Sequence, residues 1–335
     1  MSLANSLVSS AAAVQFANGT EILHFFERLT KQHFLDWFHS TCARRQFWAN
    51  KEMNTSEPVK ERFARIWDWI PLMFDEPSIN LLQFSALMSI LINEVGDDLL
   101  PVTELCGRDE YPGLAYAFSA IPGVKRSYNA GEENRPAGKL FFDDPDFWSA
   151  HGSLAGADLV RAIPNLQETW NGAVYPQNLF PTSLEPDRSG FIQQADFYKF
   201  RGRGFIQITW RSNYRDIVGF VQNYSGADPT LLRYKAAWAT KDPDTVCTTS
   251  TNEDWDELFG STNLIVACRA IGLHNRAGGN YLELSADANV LTAASPQQGS
   301  LCRMGLRISG SKPYALLFRE RVVQLLTTLG YERGV

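Results

Sequence analysis

The strongest constraint on how this chain folds lies in residues 78–94, SINLLQFSALMSILINE. Asp75-Glu76-Pro77-Ser78 carries helix-start chemistry, and Gly96-Asp97 supplies a stop, so the spacing predicts a helix over Ser78–Glu94. Ile79, Leu81, Leu82, Phe84, Leu87, Met88, Ile90, Leu91 and Ile92 leave it no polar side. A helix that is apolar all round must sit in the middle of its domain, with other elements packed about it. Glu94 ends it, in register with Leu87 and Leu91. A carboxyl among apolar neighbours suits general-acid work, because burial disfavours the charged form. The plainer alternative is a surface glutamate at a frayed helix end.

The second informative stretch is Tyr198–Tyr214, YKFRGRGFIQITWRSNY. Phe205, Gln207 and Thr209 alternate with Ile206, Ile208 and Trp210, which predicts a short strand. Gln207 and Thr209 would share a polar face able to line a groove. Gly202 and Gly204 flank Arg203 where the backbone must turn or approach something closely. An ordinary half-buried edge strand would carry the same pattern. An RGG-like nucleic-acid segment fits less well, because Arg203 is isolated and an apolar run follows it.

The chain has 335 residues, enough for one large domain or two modest ones. With 44% hydrophobic and 20% charged residues, it has ample material for a core. A net charge of −6 argues against broad electrostatic binding to nucleic acid or anionic membrane. No apolar run is long enough to span a bilayer. No Lys or Arg precedes the apolar part of the N-terminus, so no secretory signal is expected there. Cys42, Cys106, Cys247, Cys268 and Cys302 are odd in number and form no C-x-x-C, which suits reduced thiols. The histidines show no zinc-ligand spacing, and no metal or cofactor is expected.

Residues 1–20 are small and polar and read as a mobile arm. Ile22, Leu23, Phe25, Phe26, Leu29, Phe34, Trp37 and Phe38 predict one or two amphipathic helices, their aromatic stripe serving either as core or as a docking surface. A further helix is expected within Met53–Met73. Tyr111–Ala120 reads as a short helix, and Gly131–Arg188 as a long polar insertion with helix-like pieces. Helices are also expected at Ser212–Asn223, with Asn213 at its start, at Asn263–Leu273 and at Pro313–Leu329.

These pieces together resemble glycoside hydrolase family 19, the chitinases and phage or bacterial peptidoglycan-degrading endolysins. GRGFIQITWRSNY at Gly202–Tyr214 is similar to the family's G-R-G-x-I-Q-[LI]-[ST]-x-x-x-N-Y. VYPQNL at Val174–Leu179 and the approach through Tyr198 look like the endolysin spacing. The helix ending in Glu94 resembles the one bearing the family's acid, and Glu104 falls where compact members carry their second glutamate. Arg307-Ile308-Ser309-Gly310-Ser311 resembles R-x-I-N-G-G, and Arg321 resembles the arginine of the last helix. The likeness covers roughly Asn80–Tyr331, and residues before about Leu72 have no counterpart in it.

The resemblance implies a mainly α, lysozyme-like α+β fold with a small β element and a central buried helix. Extra helices would form an N-terminal extension over residues 1–72, and residues 73–335 would be the hydrolase domain. It implies inverting catalysis. Glu94 would protonate the glycosidic oxygen, Glu104 would activate water, and Thr209 would hold that water. Gln207, Asn213, Tyr198 and Ser309 would contact sugar, and Arg321 would tune the acid. Three departures stand out: Asn93 occupies the place of the usual His, Ser309 that of an Asn, and Ser212 that of the Tyr of plant members.

The leading expectation is a peptidoglycan hydrolase that cleaves β-1,4 bonds. It would be made in the cytoplasm and reach the cell wall by release or delivery, as a phage lysin or as an antibacterial effector with a secretion-machine or immunity partner. A chitinase, a non-catalytic wall-binding protein and a lytic transglycosylase are the alternatives. A transglycosylase would need one carboxyl and no held water.

Overall fold

A computed structural model describes residues 3–103, 199–260, 264–276, 284–287, 289–309 and 311–330. The expected helix at 111–120, the insertion at 131–188, the segment at 174–179, Cys106, Glu104 and Tyr198 lie outside the described residues. The architecture is mainly helical. In chain order it begins with α1 (Leu3–Ala13), β1 (Gln15–Phe16), α2 (Gly19–Thr30), α3 (Phe34–Trp37), α4 (Glu57–Trp67), α5 (Ile70–Phe74), β2 (Ile79–Asn80), α6 (Leu81–Glu94) and β3 (Val102–Thr103). It resumes with β4 (Arg203–Gly204), α7 (Arg211–Gln222), α8 (Pro229–Trp238), α9 (Pro243–Thr249), α10 (Asn252–Phe259), α11 (Leu264–His274), α12 (Ser300–Ser309) and α13 (Lys312–Thr328). No described helix is long and apolar enough to cross a membrane. The four described cysteines, Cys42, Cys247, Cys268 and Cys302, are buried and in no disulfide with one another.

The chain divides into two compact units. One takes in residues 1–101, 204–206 and 261–335, the other residues 102–203 and 207–260. The boundary expected at residue 72 falls inside the first of them.

In the first unit α6 is the axis, and every residue from Leu81 to Ile92 is buried. Two polar side chains on it are satisfied locally: the Ser85 and Ser89 hydroxyls each donate at 2.7 Å to the carbonyl one turn back. The Phe84 ring lies between those of Phe16, Phe34 and Trp67, at centroid distances of 6.0, 5.3 and 4.7 Å. The aromatic stripe of the N-terminal helices is therefore core: Phe25, Phe26, Phe34, Trp37 and Phe38 are all buried. The arm expected over residues 1–20 is instead helix α1. Leu7 and Ala11, one turn apart, are buried, and α1 packs against α6. Small residues permit that close approach, and alanine carries the highest helix propensity.

Helix α6 starts three residues later than the pattern predicts. Ile79 and Asn80 are drawn into an antiparallel pairing with Phe16 and Gln15. Asn80 then caps the helix, its side chain accepting from the Gln83 amide while Gln83 returns the bond to the Asn80 backbone. Asp75 is not a cap. It adopts a left-handed φ of 56° and pairs with Arg269 at 2.7 Å and Arg276 at 2.9 Å.

The second unit is organised on Tyr214. Its ring meets Phe200, Trp255 and Phe259 at 5.0, 4.9 and 5.6 Å. Beside it the Arg203 side chain is fully buried. Arg203 Nε donates to Asp256 at 2.7 Å, Nη1 to the Lys199 carbonyl and the Tyr214 hydroxyl at 2.6 and 3.1 Å, and Nη2 to Asn252 at 3.3 Å. The Tyr214 hydroxyl in turn donates to the Arg201 carbonyl at 2.6 Å. All three guanidinium nitrogens are thus engaged inside the protein, and this arginine is scaffold.

Candidate functional site

The residues marked by the sequence fall into two groups, one in each unit. The first is built on the end of α6. Glu94 is its last residue and is half-buried. Asn93 Nδ2 donates to Glu94 Oε1 at 2.9 Å, and the Tyr314 hydroxyl donates to the same oxygen at 3.3 Å. Behind them Arg321 Nη1 donates to Asn93 Oδ1 at 2.6 Å. Arginine can only donate, so it fixes the orientation of the Asn93 amide, with the oxygen toward Arg321 and the NH₂ toward Glu94. Two donors converge on Oε1, and neither reaches Oε2.

Arg321 is itself held rigidly. Its Nε donates to the Phe47 carbonyl at 2.9 Å, its own carbonyl accepts from Trp48 Nε1 at 3.0 Å, and its guanidinium lies 5.1 Å from the Trp48 ring centroid. Burial lowers the Arg321 pKa, while Tyr314 and Glu94 act in the opposite direction. Burial, reinforced by the neighbouring Glu94 carboxylate, raises the Tyr314 phenol, so it remains a donor at neutral pH. Arg321 is thus linked to Glu94 by hydrogen bonds through Asn93.

Ser309 ends α12. Its hydroxyl donates to the Gly305 carbonyl at 2.9 Å and accepts from the Ser311 amide at 3.1 Å. Ser311 caps α13, the helix that carries Tyr314 and Arg321. Ser309 thus shapes the turn that delivers those two side chains. Tyr314 escaped the sequence reading, although it stands seven residues before Arg321 and so on the same helical face.

An open cleft of 470 Å³ adjoins this end of α6, lined by Asn50, Lys51, Glu52, Ile92, Gly96 and Asp97. That volume lies within the usual range for small-ligand sites, about 300–1,000 Å³.

The second group is the Gly202–Tyr214 segment, and here the expected strand is absent. Regular pairing is confined to Arg203–Gly204 and to Ile208, which bridges back to Arg203 through reciprocal bonds of 3.1 and 3.0 Å. Between them the chain turns, with Gly204 at φ 84° and Gln207 at φ 53°. Burial of Ile206 and Ile208 follows the expected alternation, but Phe205 is buried and Trp210 half-exposed, against it. Gln207 and Thr209 are likewise half-exposed, linked by a different device: Thr209 Oγ1 donates to the Gln207 carbonyl at 3.0 Å. Asn213 Nδ2 donates to the Thr209 carbonyl at 2.6 Å, so all three polar residues form one chain of contacts. Gln207 Nε2 reaches the Val102 carbonyl at 3.3 Å, on the strand that leads to Glu104. Trp210 is held at φ 83°, ψ 137°, a conformation that costs a non-glycine residue on the order of 1–3 kcal/mol. The Phe200 carbonyl anchors it, accepting from the Trp210 amide at 2.9 Å.

The bridging amide has a measurable consequence. Asn93→Ala disconnects Arg321 from Glu94 and removes one of the two donors on Oε1. If Glu94 acts as a catalytic acid, a roughly tenfold loss in kcat with little change in KM is the expected result, the size of one hydrogen bond to a charged group. Restoration of kcat by Asn93→Gln, but not by Asn93→Leu, would separate positioning from packing.

No protein-family model, curated protein or solved structure matches the chain.

Proposed function

We propose that this chain is a peptidoglycan hydrolase of the lysozyme-like, family 19 type, cutting β-1,4 glycosidic bonds with inversion. The observation that carries the reading is the treatment of Glu94. Its carboxyl stands at the end of the central buried helix, with one oxygen gripped by Asn93 and Tyr314. An oriented carboxyl with one oxygen left to carry a proton is what a general acid requires.

In this reading Glu94 Oε2 delivers its proton to the glycosidic oxygen as the bond to the anomeric carbon breaks. Glu104 takes a proton from a water that attacks the opposite face of the sugar. Inverting pairs of this kind hold their carboxyls about 6.5–9.5 Å apart to admit that water. Thr209 orients the water, while Gln207, Asn213 and Tyr198 bind sugar. Arg321 acts on the acid through Asn93. Asn93 takes over the position of the usual histidine by supplying a donor to the carboxyl. The chain reaches the wall as a released lysin or a delivered antibacterial effector.

Mass spectrometry of muropeptides after digestion of purified peptidoglycan tests the reading. Hydrolysis yields products with free reducing ends. Anhydro ends would point to transglycosylase chemistry, release from chitin oligomers alone to a chitinase, and wall binding without any release to a non-catalytic scaffold.

A further inference from the structure

The cleft beside Glu94 is bounded on one side by the end of α6, through Ile92, Gly96 and Asp97, and on the other by Asn50, Lys51 and Glu52. The second wall comes from the part of the chain that has no counterpart in the family resemblance. It is tied down firmly. The Asn54 amide donates to the Asp97 carbonyl at 3.3 Å, Asn54 Nδ2 to Asp98 at 2.7 Å, and Arg62 to the Asp98 carbonyl. The cleft is therefore bounded by a fixed strap.

Its charges are unspent. Among the described residues, the Lys51 ammonium and the Glu52 and Asp97 carboxylates make no hydrogen bond or ion pair. Glu52 and Asp97 are exposed, whereas Lys51 is half-buried. Burial and the like charge of Arg321 both work against the Lys51 ammonium, and Glu94 offsets them in part. Among the described residues Glu94 acts on this cation only through its field and no carboxylate pairs with it, so an anionic group from outside would match it. The two acidic side chains on the same walls match an amine.

Resting on the hydrolase reading, we infer that this cleft takes a zwitterionic peptide attached to the glycan. Lys51 receives a peptide carboxylate, and Glu52 and Asp97 receive the free ammonium of a diamino acid. The strap thereby makes the enzyme selective for peptide-bearing glycan over a bare polysaccharide.

Two measurements test this. The first is the ratio of kcat/KM on intact peptidoglycan strands to kcat/KM on the same strands stripped of peptide by an amidase. Lys51→Met should lower that ratio about tenfold, the value of one charge-assisted contact, and Lys51→Arg should keep most of it. Any effect of Lys51 on Glu94 itself acts on both substrates and cancels in the ratio. An unchanged ratio overturns the proposal. The second is calorimetric titration of the full chain with the free tripeptide L-alanyl-γ-D-glutamyl-meso-diaminopimelate, which needs no catalysis. Binding weakened by Lys51→Met and by Asp97→Asn supports the cleft. Absence of binding to the wild type overturns it, even where hydrolysis is observed. Hydrolysis of neither substrate would refute the catalytic reading, and the titration would still decide the peptide site.

Discussion

Glu94→Gln should abolish lysis of purified peptidoglycan, with kcat falling by about 10²–10⁴-fold, the usual contribution of a positioned general acid. The fold should survive. Glutamine keeps an oxygen where Oε1 accepts from Asn93 and Tyr314, and its NH₂ replaces Oε2, which takes part in neither bond. The grip is preserved while the transferable proton is lost. The stability change should stay under about 1 kcal/mol, and the melting temperature should move by no more than about 2–4 °C. Substrate binding should be largely retained, so the variant should still sediment with cell walls. Wild-type turnover in a folded Glu94→Gln protein would remove the acid from the proposal altogether. Loss of activity together with a collapse in melting temperature would show Glu94 to be a structural helix terminus instead.

The elements most legible in the sequence were those whose signal is local and periodic. Helices α6, α7, α11 and α13 lie within a few residues of where apolar spacing puts them. The errors share a cause in non-local contacts. Nothing near Ile79 announces that it will pair with Phe16, so the start of α6 was placed too early. Residues 1–20 look like a loose arm of small and polar residues until α6 provides a surface for Leu7 and Ala11. Phe205–Trp210 imitates a strand because its residues favour strands, yet the positive φ angles at Gln207 and Trp210 belong to residue types that do not advertise them. At the candidate site, Glu94, Asn93 and Arg321 were each visible in the sequence. The bond from Arg321 to Asn93 joins residues on α13 and α6, and only packing creates it.

Arg203→Met should be the most destabilising single change within the Gly202–Tyr214 segment. Methionine fills much of the space but removes every donor. The Lys199 carbonyl loses this donor and Asp256 its shortest contact, keeping Arg201 at 3.8 Å and Thr103 at 3.4 Å, while Asn252 and the Tyr214 hydroxyl keep bonds to Arg201. Breaking a buried ion pair typically costs about 3–5 kcal/mol. Here the Asp256 side chain is 46% exposed and regains water, so the low end applies, with a cost of about 3 kcal/mol. That corresponds to a fall in melting temperature of roughly 6–12 °C for a chain of this size. Arg203→Lys should recover only part of it, because an ammonium lacks the planar fork that reaches four acceptors, two of them on α10. Below the melting transition both variants should keep KM near wild type. The rival interpretation, in which the arginine of this glycine-flanked segment binds sugar, makes the opposite demand: a raised KM with an unchanged melting temperature. The two readouts separate scaffold from ligand contact, and the buried guanidinium favours scaffold.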